Sequence, residues 1–99
     1  TVEHILPESA DENWGGFSQE EINRSVYRLG NLTLLEKKLN KDADVAEYAG
    51  KVKIFEQSKS FLTRDIADAY KTWTEDTISS RQSKLAKDAK AVWRIQGLM

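Results

Sequence analysis

The sequence predicts an α+β fold dominated by helix, and three observations predict it. Residues 1–6 and 32–35 are short, β-tolerant apolar runs bounded by chain breakers. Three later segments repeat apolar residues at three- and four-residue spacing, as amphipathic helices do. A length of 99 residues, 39% of them hydrophobic with three each of Trp, Tyr and Phe, supplies one core and not two.

Thr1 to Leu6 reads as a strand with Val2 and Leu6 as its apolar positions, stopped by Pro7, which has no N–H for a ladder. Glu8 to Ser18 is polar, contains Asn13, Gly15 and Gly16, and reads as a loop that Trp14 and Phe17 pin to the body. Ser18 before Gln19-Glu20-Glu21 is a hydroxyl N-cap with Glu21 at the capping-box position, so a short helix runs from there to about Leu29. Gly30-Asn31 is turn chemistry, and Leu32 to Leu35 pairs with the first strand across this long insert. After the charged Glu36-Lys37-Lys38 segment, Asp42 or Asp44 caps a helix through Val45, Tyr48, Val52 and Phe55. Ser60 to Tyr70 gives another, through Leu62, Ile66, Ala69 and Tyr70. Thr74 or Asp76 opens the last, whose stripe is Ile78, Leu85, Ala89, Val92 and Trp93. Lys87, Lys90 and Arg94 fall roughly opposite that stripe and Arg81 beside it. The total is two strands and about four helices.

Charged residues make up 31% of the chain and no apolar run approaches the ~20 residues a bilayer helix needs, which excludes a membrane span. Without cysteine there is no disulfide framework or thiolate zinc site, and a reducing cytoplasm fits. A start at Thr1 reads as a piece of something longer. The net charge of −1 conceals an asymmetry: residues 1–30 hold six acids against two bases, residues 31–99 thirteen bases against ten acids. That basic surplus permits a polyanion partner without demanding one.

The single histidine stands in Glu3-His4-Ile5-Leu6-Pro7. Imidazole titrates near neutrality and suits a base that takes a proton from water, while a carboxylate offers hard oxygen to Mg2+. Neighbours on a strand point to opposite faces, so the two act separately unless the backbone is irregular or the ion sits at the strand edge. Taken alone, a lone histidine is more often a surface or core residue, and Asn31 and Asn40 are more often turn or cap residues.

In combination, Glu3-His4-Ile5-Leu6-Pro7, a variable insert, Gly30-Asn31-Leu32-Thr33-Leu34-Leu35 and Asn40 resemble the HNH, or His-Me finger, nucleases built on a ββα-metal motif. More narrowly they resemble the C-terminal HNH-like domain of GmrSD-type, modification-dependent (type IV) restriction endonucleases. Lys51, Ser58 and the series Trp73, Ile78, Arg81, Leu85, Ala89 and Trp93 resemble that family's helical tail. The resemblance implies one domain over residues 1–99, with a ββα core to about residue 58 and a helical tail from about 59.

It implies roles residue by residue. His4 matches the general base, Glu3 the acidic metal ligand where many relatives have Asp, and Asn40 the final metal ligand. Asn31 matches the residue that braces the loop and orients the catalytic backbone. Lys41, Lys51 and Arg81 are candidate contacts to the DNA backbone. The implied cofactor is a divalent metal, Mg2+ foremost, with Mn2+ or another divalent ion as substitute; Asn rather than His at position 40 argues for a hard, oxygen-preferring ion. The implied activity is DNA phosphodiester hydrolysis in restriction or phage defence, with DNA carrying modified bases among the implied partners. The chain has no G-x-x-x-x-G-K-[ST] segment; in this family nucleotide hydrolysis and target sensing belong to an N-terminal partner domain. Two other readings compete. One is a non-catalytic DNA-binding or docking module of the same architecture, with Glu3 and Asn40 facing apart. The other is a helical protein-interaction domain in which Trp14, Trp73 and Trp93 only pack.

Overall fold

Two three-residue strands cannot stand alone, so the sheet here is held by what is laid over it. The computed structural model describes residues 1–44 and 46–95, with side chains of the last helix described to residue 90. The expected apolar positions Val45, Val92 and Trp93, and the expected basic position Arg94, lie outside that description. Strand β1 (Val2–His4) pairs antiparallel with β2 (Leu32–Leu34) in the register Val2↔Leu34, Glu3↔Thr33, His4↔Leu32. Two further main-chain bonds extend the ladder, Ile5 N to Asn31 O at 2.9 Å and Leu35 N to Thr1 O at 2.9 Å. The α+β reading holds, as a small two-stranded sheet within a mostly helical chain.

The face of that sheet is the reverse of the expected one. Val2 is 53% exposed, while Glu3 and Thr33, directly opposite each other, point inward. Thr33 is satisfied by the Thr63 hydroxyl at 2.8 Å, and Thr63 also donates to the Leu34 carbonyl. The apolar burial at this end comes from Ile5 and Leu6, which follow the strand.

Helix α1 (Gln19–Ser25) starts as expected: Ser18 Oγ accepts from Glu21 N at 3.1 Å, and Glu21 Oε1 accepts from Ser18 N at 3.0 Å. It ends before Leu29, because residues 29–31 form a 3-10 turn that brings Gly30 against the last helix. A Cβ on Gly30 would lie 2.1 Å from the Ile78 carbonyl oxygen, so only glycine fits that approach.

Helix α2 (Lys37–Ala43) starts within the charged Glu36-Lys37-Lys38 segment, ahead of the expected cap at Asp42 or Asp44. Leu39 and Ala43, four residues apart, turn one face to the core, and this contact decides a stretch that polar composition left silent. Asp42 therefore lies inside a helix and Asp44 closes it at φ 27°, so neither caps the next one. Helix α3 (Tyr48–Phe55) starts after Glu47 and buries Lys51 and Phe55. Helix α4 (Phe61–Ala69) matches the expected span, but it buries Thr63 and Ile66 and leaves Leu62 exposed. Helix α5 (Glu75–Ile95) opens at Thr74, whose hydroxyl accepts from Thr77 N at 3.2 Å. Its first turns carry the buried Ile78, while Ala89 is exposed. Trp14, Phe17, Leu35, Phe55, Ile66 and Trp73 complete the core around Ile5 and Leu6. No helix among the described residues is long and apolar enough to cross a membrane.

Candidate active site

β1 runs from Val2 to His4, and the C-terminal half of α2, with Asn40 and then Asp44 at its end, comes against it and the loop that follows. Glu3, His4, Glu8, Ser9, Asn40 and Asp44 wall an open, mainly polar cavity of about 290 Å³ at that junction. Strand alternation does separate Glu3 from His4, yet both reach the cavity because it runs along β1 from Val2 into the loop at residues 7–9.

Glu3 is 5% exposed. Its Oε2 lies 3.2 Å from Lys51 Nζ, and its Oε1 is approached at 3.5 Å by the amide of Asn40. Lys51 is fully buried; besides Glu3 it donates to the His4 carbonyl at 2.9 Å, and its ammonium lies 5.7 Å from the centre of the Trp14 ring. Burial pushes the Glu3 carboxyl above its usual range, against the pull of the Lys51 charge and hydrogen bond, and Asp44 pushes it further up. Burial likewise pushes the Lys51 ammonium down, opposed by Glu3.

The His4 side chain is 23% exposed, with Nδ1 3.7 Å from Glu8 Oε1. Tyr27 meets the imidazole edge-on at 5.5 Å and donates its hydroxyl to Glu8 Oε2. That bond and the Glu8 charge raise the Tyr27 phenol above its usual pKa.

Asn31 does not line the cavity. It is fully buried behind it with every side-chain bond made inside the protein: Oδ1 accepts from Leu6 N at 2.8 Å and Trp73 Nε1 at 3.0 Å, and Nδ2 donates to the Leu6 and Val26 carbonyls, each at 2.9 Å. This is a brace across the two strand ends.

Of the expected DNA contacts, Lys41 is exposed on α2 beside Asn40. Lys51 and Arg81 are corrected. Lys51 is committed to Glu3 and His4, and Arg81, 5% exposed, donates from Nη1 to the Gly30 carbonyl at 3.0 Å and the Leu32 carbonyl at 2.6 Å. Neither cation is placed to meet a phosphate. Burial holds the Arg81 guanidinium below its usual pKa.

Sequence reasoning missed Glu8 and Asp44 in the cavity wall. Asp44 stands four residues after Asn40, at the position that closes α2, whereas nothing local marks Glu8, which the loop after Pro7 brings beside His4. Among the described residues, no group of three or more His, Cys, Asp or Glu forms a metal cage. What the cavity offers is one buried carboxylate, one amide and room for water. That donor set fits a hard divalent ion of the Mg2+ type, which keeps much of its hydration and takes one or two protein oxygens.

No curated protein and no solved structure matches the chain. Residues 1–88 match the family described as GmrSD restriction endonucleases, C-terminal domain, a span that takes in every residue of the cavity wall. The chain therefore belongs to the GmrSD restriction endonuclease C-terminal domain family, which gives it a restriction-endonuclease-type role with DNA as its substrate class.

Proposed function

We propose that this domain is the metal-dependent cutter of a modification-dependent (type IV) restriction or phage-defence protein, built on an HNH-type ββα-metal core with His4 as general base. The observation that carries the reading is the convergence of Glu3, His4 and Asn40, from β1 and α2, on one open polar cavity. Glu3 and Asn40 approach within 3.5 Å; a non-catalytic module of the same architecture has them facing apart.

The chemistry assigns each residue a task. With Nδ1 turned to Glu8, His4 Nε2 is the nitrogen left to take a proton from water, and the resulting imidazolium is stabilised by the carboxylate beside it. The water oxygen attacks phosphorus, the bond from phosphorus to the 3′-oxygen breaks, and that oxygen gains a proton from solvent, leaving a 5′-phosphate and a 3′-hydroxyl. Glu3 and Asn40 would hold the divalent ion, Mg2+ foremost, which supplies charge stabilisation to the phosphate and the departing oxygen. Lys41, exposed next to Asn40, neutralises backbone phosphate as the strand enters. Asn31 holds β1 and β2 in the register that points His4 into the cavity. Target sensing and nucleotide hydrolysis fall to an N-terminal partner domain.

The test is plasmid nicking by the full-length protein carrying this domain, on modified and unmodified DNA, with Mg2+ or Mn2+ and nucleotide. His4→Ala is expected to lower the rate by roughly 10²–10⁴-fold with circular dichroism unchanged. Equal cleavage by both proteins removes His4 as the base, and no cleavage by either with any metal refutes the nuclease reading.

A further inference from the structure

A lysine is almost never fully buried unless its charge is committed, and Lys51 has no exposed surface at all. Its stem comes up from α3 and its ammonium ends beneath β1, donating to two consecutive residues there: the Glu3 carboxylate at 3.2 Å and the His4 carbonyl at 2.9 Å. A methionine or leucine would fill the same space without the desolvation that a buried ion pair incurs, so packing alone does not account for a lysine here. The pair does something packing cannot: it fixes the direction of a carboxylate.

We infer that Lys51 is a positioning residue of the proposed metal site, tying Oε2 of Glu3 and the main chain of His4 to one buried point so that Glu3 presents a single oxygen, Oε1, to the cavity. The inference rests on the nuclease reading above and deepens it. Oε1 accepts a long 3.5 Å bond from the Asn40 amide nitrogen, so the two proposed ligands are set side by side while the second carboxylate oxygen is withheld by Lys51. Because the same ammonium holds the His4 carbonyl, the main chain that carries the proposed base is anchored at the same buried point as Glu3. A carboxylate restricted to one oxygen suits Mg2+ or Mn2+, which bind such groups singly and keep water. It disfavours Ca2+, which gains from chelation by both oxygens.

The test is binding of Mn2+ and Ca2+ by titration calorimetry to the full-length protein and to Lys51→Met, which keeps an unbranched apolar stem one atom shorter and removes the donor. Partners that orient a metal ligand typically matter 10–100-fold for affinity, so Mn2+ binding should weaken roughly tenfold or more. The preference for Mn2+ over Ca2+ should shrink as Glu3 regains its second oxygen. Folded Lys51→Met protein with unchanged Mn2+ affinity and unchanged preference overturns the inference, because a purely structural lysine changes thermal stability and leaves ion preference alone. Should Lys51→Met fail to fold, a crystal structure of the wild-type protein with Mn2+ decides. Lys51 on Oε2 with Mn2+ on Oε1 supports the inference; Glu3 chelating through both oxygens, or Lys51 turned away, overturns it. Wild-type protein that binds neither ion and cuts nothing refutes the nuclease reading itself, whereas wild-type binding with His4-dependent cutting and an indifferent Lys51→Met refutes Lys51's role alone.

Discussion

Asn31→Asp changes one group, a buried amide NH2 for an oxygen, and its cost can be worked from the four bonds the amide makes. The two bonds accepted by Oδ1, from Leu6 N and Trp73 Nε1, survive the change. The two donated by Nδ2 do not, so the Leu6 and Val26 carbonyls, each 2.9 Å away, come to face an acceptor. If the new carboxyl is protonated it can donate to one of them, leaving one buried carbonyl unpaired at about 1–3 kcal/mol. When it ionises, both are unpaired and a buried charge has no cation beside it. Burial and the two carbonyls hold the folded pKa of the new carboxyl above its unfolded value of about 3.9. A raised folded pKa means that the native state binds the proton more tightly, so the added penalty is absent below the unfolded pKa. It grows by about 1.4 kcal/mol per pH unit until the folded pKa is reached; an elevation of about two units adds about 2.7 kcal/mol by neutral pH. The difference between wild type and variant should therefore be about 2 kcal/mol near pH 4 and about 4–5 kcal/mol at pH 7, a large share of a typical stability of about 5–15 kcal/mol. Urea unfolding of both proteins at pH 4, 5, 6 and 7, followed by tryptophan fluorescence, measures it, and other titrating groups cancel in the difference. A loss that is the same at pH 4 and pH 7, or below about 1 kcal/mol throughout, refutes the account of Asn31 as a saturated buried brace.

Other consequences follow from the same geometry. Gly30→Ala should destabilise by about 1–3 kcal/mol, since a methyl 2.1 Å from the Ile78 carbonyl forces α5 away from the turn; a melting temperature equal to wild type would contradict that approach. Glu36 accepts from Ser58 Oγ at 2.6 Å and from Lys59 N at 2.9 Å, and these bonds hold its carboxyl below the usual range. With the folded pKa depressed, its contribution is present above the ordinary carboxylate pKa and is lost as pH falls through the lowered value. Glu36→Gln should accordingly flatten the acid limb of the stability profile, and an unchanged limb would count against it. Lys41→Ala should reduce the salt dependence of DNA binding by about one unit of slope with the fold intact. Arg81→Met, in contrast, should lower the melting temperature and leave the slope alone, and the reverse pattern would reassign both residues.

Much of the architecture was legible because it was written in local chemistry. Ser18 with Glu21 gave the start of α1 through a reciprocal cap, and Ser60 before an apolar stripe gave α4. The wide hairpin followed from two apolar runs with turn residues beside them. Helix α2 was not legible, since only Leu39 and Ala43 face the core in a segment otherwise lysine-, asparagine- and aspartate-rich, and propensity gives such a stretch no direction until something packs on it. The inward face of β1 was misread for a related reason. Alternation was judged by hydropathy, but the sheet turns Glu3 and Thr33 inward because Lys51 and Thr63 satisfy them, partners that lie 48 and 30 residues away in sequence. The same non-local pairing hid the duties of Lys51 and Arg81. A lysine on a helix reads as solvated unless one knows that its end meets a carboxylate from another element, and Arg81 reads as a surface cation until Gly30 and Leu32 are known to lie across from it.

These long-range pairs also explain why a site built on six strand residues can be stable. The hairpin contributes little apolar surface of its own, and its inner face, its turn and its following loop all carry polar groups that water cannot reach. Most are met from segments that come later in the chain: Lys51 of α3 reaches Glu3 and the His4 carbonyl, Thr63 of α4 reaches Thr33 and the Leu34 carbonyl, Trp73 of the α4–α5 connection reaches Asn31, and Arg81 and Gln82 of α5 hold Gly30 and Leu32. Removing any one partner leaves a buried group unpaired, at about 1–3 kcal/mol, more if it is charged, so the helices specify the strand register as well as covering it. The same arrangement accounts for where the cavity is. On the core side of the hairpin Thr33, Asn31 and Oε2 of Glu3 are paired internally, whereas His4 and Asn40 line the open wall, where the Asn40 amide meets Oε1 of Glu3. The fold leaves the groups of the proposed site at that wall by satisfying most of the rest.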